Sequence, residues 1–510
     1  MLHFTQHDIP VGGSDMITDM DVNRFATKSL NDPRILRILS AALNAVDPYV
    51  AVKNHLPKIN GSVYGLAVGK AAVPMLTALA ESIPLSGALA ISKHASPAST
   101  ADYRPPLSTA FPLLLGGHPI PDAHSIHAGE RALEFVSSLK EDDALVCLIS
   151  GGGSALMTAP MIPLEELQAL TASLLASGAT INEINTIRRR LDRVKGGGLA
   201  RATKAKIISL ILSDVIGNPL EAIASGPTAP NPTTREDALL ILEKYLTTES
   251  RKHGDSLLLN SVTQCLRGSR GIETLSPNDS TFSRVQNIII GDNHLAAQAA
   301  LEQAQREGFD SEILTNELQG EAREVGVMLA KKLRDEISKR PRPFCLIAGG
   351  ETTVTLSGSG MSFAKPLGNT ESLEREYRER ANKANFSKLI RVIRRLAQFA
   401  LKHSRVYKSN TSAGKGGRNQ ELALAAVNEL RDLENVMLIA LATDGDDGPT
   451  DAAGAVVTGE SAERANRLGL SEADSLSRND AYPFFESLGD LIRTHPTGTN
   501  VNDLIFLFAL

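Results

Sequence analysis

The chain reads as an α/β protein of two three-layer α/β/α domains with a cleft between them, and three observations lead there. At 510 residues it exceeds what a single hydrophobic core ordinarily supports. Short runs of Val, Ile, Leu and Ala alternate with longer helical patterns. Many of those runs are apolar on both faces, as parallel strands covered by helices must be.

In chain order, strands are expected at Val63–Val68, Ala88–Ile91, Leu113–Leu115, Leu145–Ile149 and Ile207–Leu212, then in a second set at Val285–Ile290, Phe344–Ile347, Val436–Leu441 and Ala455–Val457. Helices intervene, for example over Leu164–Leu175 and Asn293–Gln305, and an apolar strand-like tail ends the chain. The polar stretch Gly268–Ser283, with Pro277, Asn278 and Asp279, reads as a linker between domains at 1–275 and 284–510.

One segment departs from this pattern. Between Met361 and Thr411 there are twelve Lys and Arg against four Glu, a local charge of +8 in a chain whose net charge is −5. Glu371 with Arg375, Glu374 with Arg378 and Glu376 with Arg380 stand at i,i+4 spacing, and Leu389, Ile393 and Leu396 form an apolar stripe. This is the pattern of a basic helical insertion at about 361–411, a solvated excursion or a surface for an acidic partner or a second subunit, as in a homodimer.

Composition narrows the function. Lys plus Arg (53) nearly balance Asp plus Glu (58), so no global field attracts nucleic acid or an anionic membrane, and a small-molecule substrate fits better. No apolar run approaches the roughly 20 residues that span a bilayer. The first thirty residues carry Asp8, Asp15, Asp19 and Asp21 and lack a secretory core, which makes cytoplasm the expected location and a mitochondrial one less so. Cys147, Cys265 and Cys345 are widely spaced and suggest buried inert thiols.

Candidate chemistry lies in loops that follow expected strands, where α/β sheets place their sites. After Val68 come Gly69 and Lys70, a lysine at the first turn of a helix, where the macrodipole disfavours it unless an anion is recruited. After Ile149 come Ser150, Gly151, Gly152, Gly153 and Ser154, a loop free of bulk whose N–H groups could converge on an anion. It is neither a Walker A loop nor a dinucleotide glycine fingerprint. Arg188, Lys195, Gly196 and Gly197 form a cationic stretch before Ile207–Leu212, which runs into Ser213 and Asp214. A strand-end Asp can bind magnesium, take a proton from a hydroxyl, or merely cap a turn. Gly349, Gly350, Glu351, Thr352 and Thr353 repeat the arrangement. Gly416, Gly417, Arg418, Asn419, Gln420 and Glu421, followed by Thr443, Asp444, Gly445, Asp446, Asp447 and Gly448, pair a glycine loop and fixed cation with a carboxylate loop, suited to phosphate beside metal. His118, among Pro119 and Pro121, sits in a rigid loop that positions rather than titrates. The closing Thr497–Asp503 loop, with Asn500, either faces the cleft or only turns the chain.

Taken in order, Gly69-Lys70-Ala71-Ala72, Ser150–Leu156, Lys195-Gly196-Gly197, Ser213-Asp214-Val215, Ile223–Thr228, Gly349–Thr353, Gly416–Glu421, Thr443-Asp444-Gly445 and Gly498–Asp503 resemble the glycerate 2-kinase family, whose C-terminal part is the MOFRL domain. The resemblance runs from about residue 33 to the C-terminus and implies a Rossmann-like N-terminal domain, a smaller C-terminal α/β domain, and transfer of phosphate from ATP, with Mg2+, to D-glycerate, giving 2-phosphoglycerate. It implies Lys70 and Arg418 as active-site residues. On this reading Asp214 or Asp444 supports the glycerate hydroxyl or magnesium, the Ser150–Ser154 loop binds phosphate, Arg188 and Lys195 hold the substrate carboxylate, and Glu351, Asn419 and Asn500 line the site. The basic insertion separates two segments that lie close together in the family. Hydroxypyruvate reduction, a name some relatives carry, is the enzymatic alternative, and a non-catalytic small-ligand regulator on the same fold is the other.

Overall fold

The computed structural model describes residues 22–93, 111–118, 120–177, 179–246, 262, 265–266, 275–355 and 414–510. The basic insertion expected at 361–411 lies outside the described residues.

Two six-stranded sheets organise the chain. The first comprises β1 (Val63–Val68), β2 (Gly87–Lys93), β3 (Leu113–Gly116), β4 (Ala144–Ile149), β5 (Lys206–Leu212) and β6 (Val285–Gly291), all parallel, in the order β3-β2-β1-β4-β5-β6. This is the doubly wound order, and its direction reverses between β1 and β4. At such a switch point the loops leaving neighbouring strands diverge to opposite faces and open a crevice, so the two loops after β1 and β4 are the ones a ligand would meet first.

The second sheet comprises β7 (Asp310–Leu318), β8 (Phe344–Gly350), β9 (Val436–Ala442), β10 (Gly454–Thr458), β11 (Leu491–Ile492) and β12 (Asp503–Ala509), in the order β11-β10-β9-β12-β8-β7. Only β7 and β8 pair in parallel; β12 runs antiparallel to both β8 and β9. The expectation of parallel strands therefore holds for the first sheet and fails for most of the second. Apolar residues on both faces report that helices cover both faces, whatever the strand direction. β6, expected to open the second domain, instead completes the first sheet by pairing with β5. The boundary expected before β6 therefore falls within the link from β5 to β6, which also carries helix Arg235–Leu246, and the chain crosses to the second sheet through helix Asn293–Arg306.

A single hydrophobic cluster joins the inner faces of both sheets. It contains Val146, Leu148 and Leu210 from the first sheet and Ile347, Ile439, Leu441 and Phe506 from the second. Helices Pro33–Asn44 and Asn293–Arg306 contribute Ile38, Leu39, Ala297 and Ala300 to the same cluster. Asp32 and Asp292 cap these two helices through their side chains, and Pro33 occupies the first turn, where its missing N–H costs nothing. With each fully buried Leu, Ile or Phe contributing about 1.5–3 kcal/mol, this shared layer fixes how the two sheets' ligand edges face each other. Further helices close the outer faces, and a satellite of helices Leu164–Ala176, Ile181–Arg190 and Arg235–Leu246 has its own small core. The three cysteines are buried and unpaired, and burial pushes the Cys147 thiol up to about 12. Among the described residues no single helix is long and apolar enough to cross a membrane.

Candidate active site

Lys70 is positioned by backbone. Gly69 takes φ +120°, a conformation that disfavours any side chain, and a Cβ there would collide with Ser150. The loops after β1 and β4 then interlock: Lys70 N–H donates to the Gly151 carbonyl at 2.9 Å, and Ala71 N–H donates to Ser150 Oγ at 3.0 Å. From this turn the Lys70 ammonium reaches across to the second sheet and donates to Asp444 Oδ2 at 3.3 Å.

Asp214 makes the second crossing. It follows β5 and accepts from Asn500 Nδ2 at 3.3 Å, the asparagine arriving on the loop that precedes β12. Gly151 lies directly against this pair, and a methyl group there would strike the Asp214 carboxylate. Burial pushes Asp214 up to about 6, and repulsion from Glu351 and Asp444 adds to the shift while Lys70 opposes it. Ser154 and Ser225 hydroxyls meet at 2.8 Å, beside three successive residues of positive φ, Ala224, Ser225 and Gly226. His118 packs beside Gly152; burial first, then the charges of Lys70 and Lys93, pushes its imidazole down to about 4, so it is neutral at physiological pH. That agrees with a positioning rather than titrating role for this loop.

The opposite wall depends on strand direction. Because β12 is antiparallel to its neighbours, its first residue lies beside the last residues of β8 and β9: Asp503 is paired with both Gly350 and Ala442. Arg418, the first residue of helix Arg418–Ala426, donates Nε and Nη2 to the two carboxylate oxygens of Asp503, the latter at 3.0 Å, and Nη1 to Glu351 Oε1 at 2.8 Å. Burial alone would depress the guanidinium, but Asp503 and Glu351 outweigh it and hold Arg418 firmly charged. Asp447 caps the same helix, accepting from Asn419 N–H at 3.1 Å and Gln420 N–H at 2.8 Å. Burial pushes Asp447 up to about 7. Asp446 is also raised, by burial and by Asp444.

The residues expected from sequence therefore divide. Lys70, Gly151, Asp214, Asp444 and Asn500 converge at one place, and Arg418 with Glu351 joins them through the Glu351 and Asp214 charges. Others are used differently. Lys195 is buried in an ion pair with Asp192, with Thr158 Oγ1 at 3.2 Å, so its charge is spent inside the fold rather than offered to a substrate carboxylate. Arg188 turns to Thr171 on the neighbouring helix at 3.4 Å. Ser150 is buried and serves the Lys70 turn, and Asn419 is buried against Asp447. The helix N-terminus behind the Gly416-Gly417 tract is thus filled by the chain's own carboxylate. Asp503, the partner of Arg418, ends the same polar tract as Asn500, and nothing local in the sequence distinguishes it until β12 is known to start there.

For magnesium, the donor chemistry is suitable. Asp444 offers hard oxygens within electrostatic reach of both Asp214 and Asp446, each of which is raised by burial first and by the Asp444 charge as well. Among the described residues no three His, Cys, Asp or Glu are grouped so that they could hold a metal ion by themselves. Mg2+ in phosphoryl-transfer sites usually takes one or two carboxylates and completes its shell with phosphates and water.

Residues 34–256 match a family described as a domain of unknown function, DUF4147, and residues 405–503 match the MOFRL family. The chain is 36% identical over 489 residues to a glycerate 2-kinase of Pyrococcus horikoshii, covering 92% of this chain and 95% of that one. It is 36% identical over 481 residues to a D-glycerate 2-kinase of Thermotoga maritima, covering 92% and 96%. The crystal structure of a Thermotoga maritima glycerate kinase superimposes with a TM-score of 0.71 over 93% of this chain and 98% of that one. A protein of Agrobacterium vitis provisionally named hydroxypyruvate reductase is 33% identical over 479 residues, covering 92% of each.

Proposed function

The chain belongs to the glycerate kinase family, and on that premise we propose that it transfers the γ-phosphoryl group of ATP to the 2-hydroxyl of D-glycerate, releasing 2-phosphoglycerate and ADP. The observation that carries the reading is the contact of Lys70 with Asp444 across the two sheets, beside the Asp214–Asn500 pair, with Arg418 held by Asp503 and Glu351 at the strand ends of the second sheet. Phosphoryl transfer asks little covalent chemistry of a protein; it needs in-line positioning and fixed positive charge over the transferred oxygens.

Lys70 and Arg418 supply that charge from opposite walls. Asp214 accepts the proton as the glycerate hydroxyl oxygen bonds to phosphorus and the bond to the ADP oxygen breaks. A carboxylate at about 6 is ionised at neutral pH yet basic enough to help, and Asn500 keeps its second oxygen oriented. Asp444, with Asp446 beside it, would hold magnesium, whose chemistry is to neutralise charge on the β- and γ-phosphate oxygens. The Gly151–Gly153 backbone lets substrate approach the floor of the site without side-chain obstruction.

The test is to incubate the purified protein with D-glycerate and MgATP under a coupled assay for ADP, and in parallel with hydroxypyruvate and NADH. Glycerate-dependent ADP release is expected. Consumption of NADH without ADP release would establish the reductase suggested by the Agrobacterium relative, and neither signal would indicate a binding protein.

A further inference from the structure

We propose that Arg418 is a two-edged guanidinium: buried Asp503 fixes one edge permanently, and Glu351 occupies the other only until a phosphoryl group replaces it. The inference rests on the kinase reading of the site and assigns two carboxylates opposite duties within it.

The two partners differ in every respect that decides exchange. The Asp503 side chain is 3% exposed and its backbone is held on both sides by sheet pairing. Asn293 Nδ2 further anchors the Asp503 carbonyl at 3.0 Å. Both Asp503 oxygens are engaged by Nε and Nη2 of Arg418, the parallel fork that gives an arginine a defined plane. Removing such a partner would strand a buried charge, so this contact is not one a substrate can displace. The Glu351 side chain is 46% exposed, sits on a loop beyond the end of β8 and, among the described residues, makes one side-chain hydrogen bond, from Arg418 Nη1. An exposed pair of this kind holds weakly, by well under the strength of a buried one.

Glu351 also pays electrostatically for its position, since its charge opposes ionisation of Asp214. A phosphoryl oxygen offers Nη1 the same acceptor geometry as a carboxylate with more charge. Exchange therefore keeps Arg418 paired throughout: by Glu351 before nucleotide binds, by the phosphoryl group afterwards, and by Asp503 in both states. Asp503 is accordingly a positioning residue, and Glu351 a place-holder whose release accompanies substrate binding.

The test is a double-mutant cycle on affinity for a magnesium-bound, non-hydrolysable ATP analogue, measured calorimetrically for wild type, Glu351→Gln, Arg418→Ala and the double variant. Glu351→Gln is expected to tighten binding about 3- to 10-fold, and the gain should disappear in the Arg418→Ala background, because Glu351 acts through that residue. Unchanged or weaker binding by Glu351→Gln, or a gain that survives Arg418→Ala, would overturn the exchange. Asp503→Asn should lower kcat about 100-fold with KM for D-glycerate within threefold of wild type; a kcat within threefold of wild type would overturn its positioning role. Wild-type glycerate-dependent ADP release, measured alongside, separates failure of this inference from failure of the kinase reading.

Discussion

At the switch point of the first sheet Lys70 is placed mainly by main chain, through Gly69 at positive φ and the Gly151 carbonyl, with one bond from the Ala71 N–H of the turn to the Ser150 hydroxyl; across the cleft Arg418 is placed by side chains, through Asp503, Glu351 and the Asp447 cap. The first arrangement suits a parallel sheet, whose strand ends release loops that must approach one another closely. The second suits a mixed sheet, where an antiparallel strand can bring a carboxylate from its own start to the ends of its neighbours. A backbone-built wall should fail when bulk is added to it, and a side-chain-built wall when charge is removed.

The largest effects should come from the cations themselves. Lys70→Ala and Arg418→Ala are each expected to lower kcat about 100-fold or more, as loss of one donor to developing charge does. Steady-state ADP release measures both, and wild-type rates from either variant would remove it from the site. Asp214→Asn follows, with a loss of about 100-fold in kcat/KM. Wild-type kcat/KM should rise with pH through about 6 as the Asp214 base ionises, and that acidic limb should vanish in the variant. Persistence of the limb would assign it to another group.

Gly151→Ala tests the backbone-built wall directly. The new methyl group meets the Asp214 carboxylate and the Asn500 amide, so the base must shift although no charge is lost. A loss of about tenfold in kcat is expected, since displacements near an ångström are costly in positioned catalysis. Activity equal to wild type would mean that Asp214 need not stay where it lies here.

Lys195→Met sharpens the comparison from outside the site. Turnover per folded molecule should stay within about threefold, while stability falls by about 3–5 kcal/mol because Asp192 is left buried without its partner. Chemical denaturation and the ADP assay on the same sample decide this. A large loss of turnover with unchanged stability would return Lys195 to the substrate site.

Much of the first wall was legible from residues alone, because its loops follow unmistakably apolar strands: Lys70, Gly151 and Asp214 each stand within two residues of a strand's end. The second wall was only half legible. Arg418 and Asp444 stood out by their glycine context, but among Asp444, Asp446 and Asp447 the sequence offers no way to tell which faces Lys70 and which caps a helix. Burial separates them: Asp447 is 1% exposed and bonded to a helix start, whereas Asp444 remains open to Lys70. β7 escaped notice because Asp310–Leu318 is an edge strand carrying Asp, Glu, Thr and Asn among its apolar residues. Lys195 misled for the opposite reason, since a lysine beside two glycines looks exposed until its partner three residues earlier is seen to be buried with it.

The smallest effect on turnover is expected from Asp447→Asn, and its signature lies in stability against pH. In the folded protein burial raises this carboxyl to about 7, whereas an unfolded Asp titrates near its ordinary value of 3.8. The folded state therefore binds the proton more tightly than the unfolded state, so between about pH 4 and pH 7 stability falls as pH rises, and it levels off above 7. Asp214 acts in the same direction over the lower part of that window, from its ordinary value to about 6. An asparagine at 447 cannot ionise but still accepts one N–H bond from the helix, so the variant should lose the upper part of the slope. The advantage of wild type over Asp447→Asn, measured by denaturation at pH 5 and again at pH 7.5, should shrink by an amount on the order of a few kcal/mol. An advantage that is constant or grows with pH would mean that Asp447 is ionised throughout, and that the Arg418 wall tolerates a second fully charged carboxylate beside Asp503.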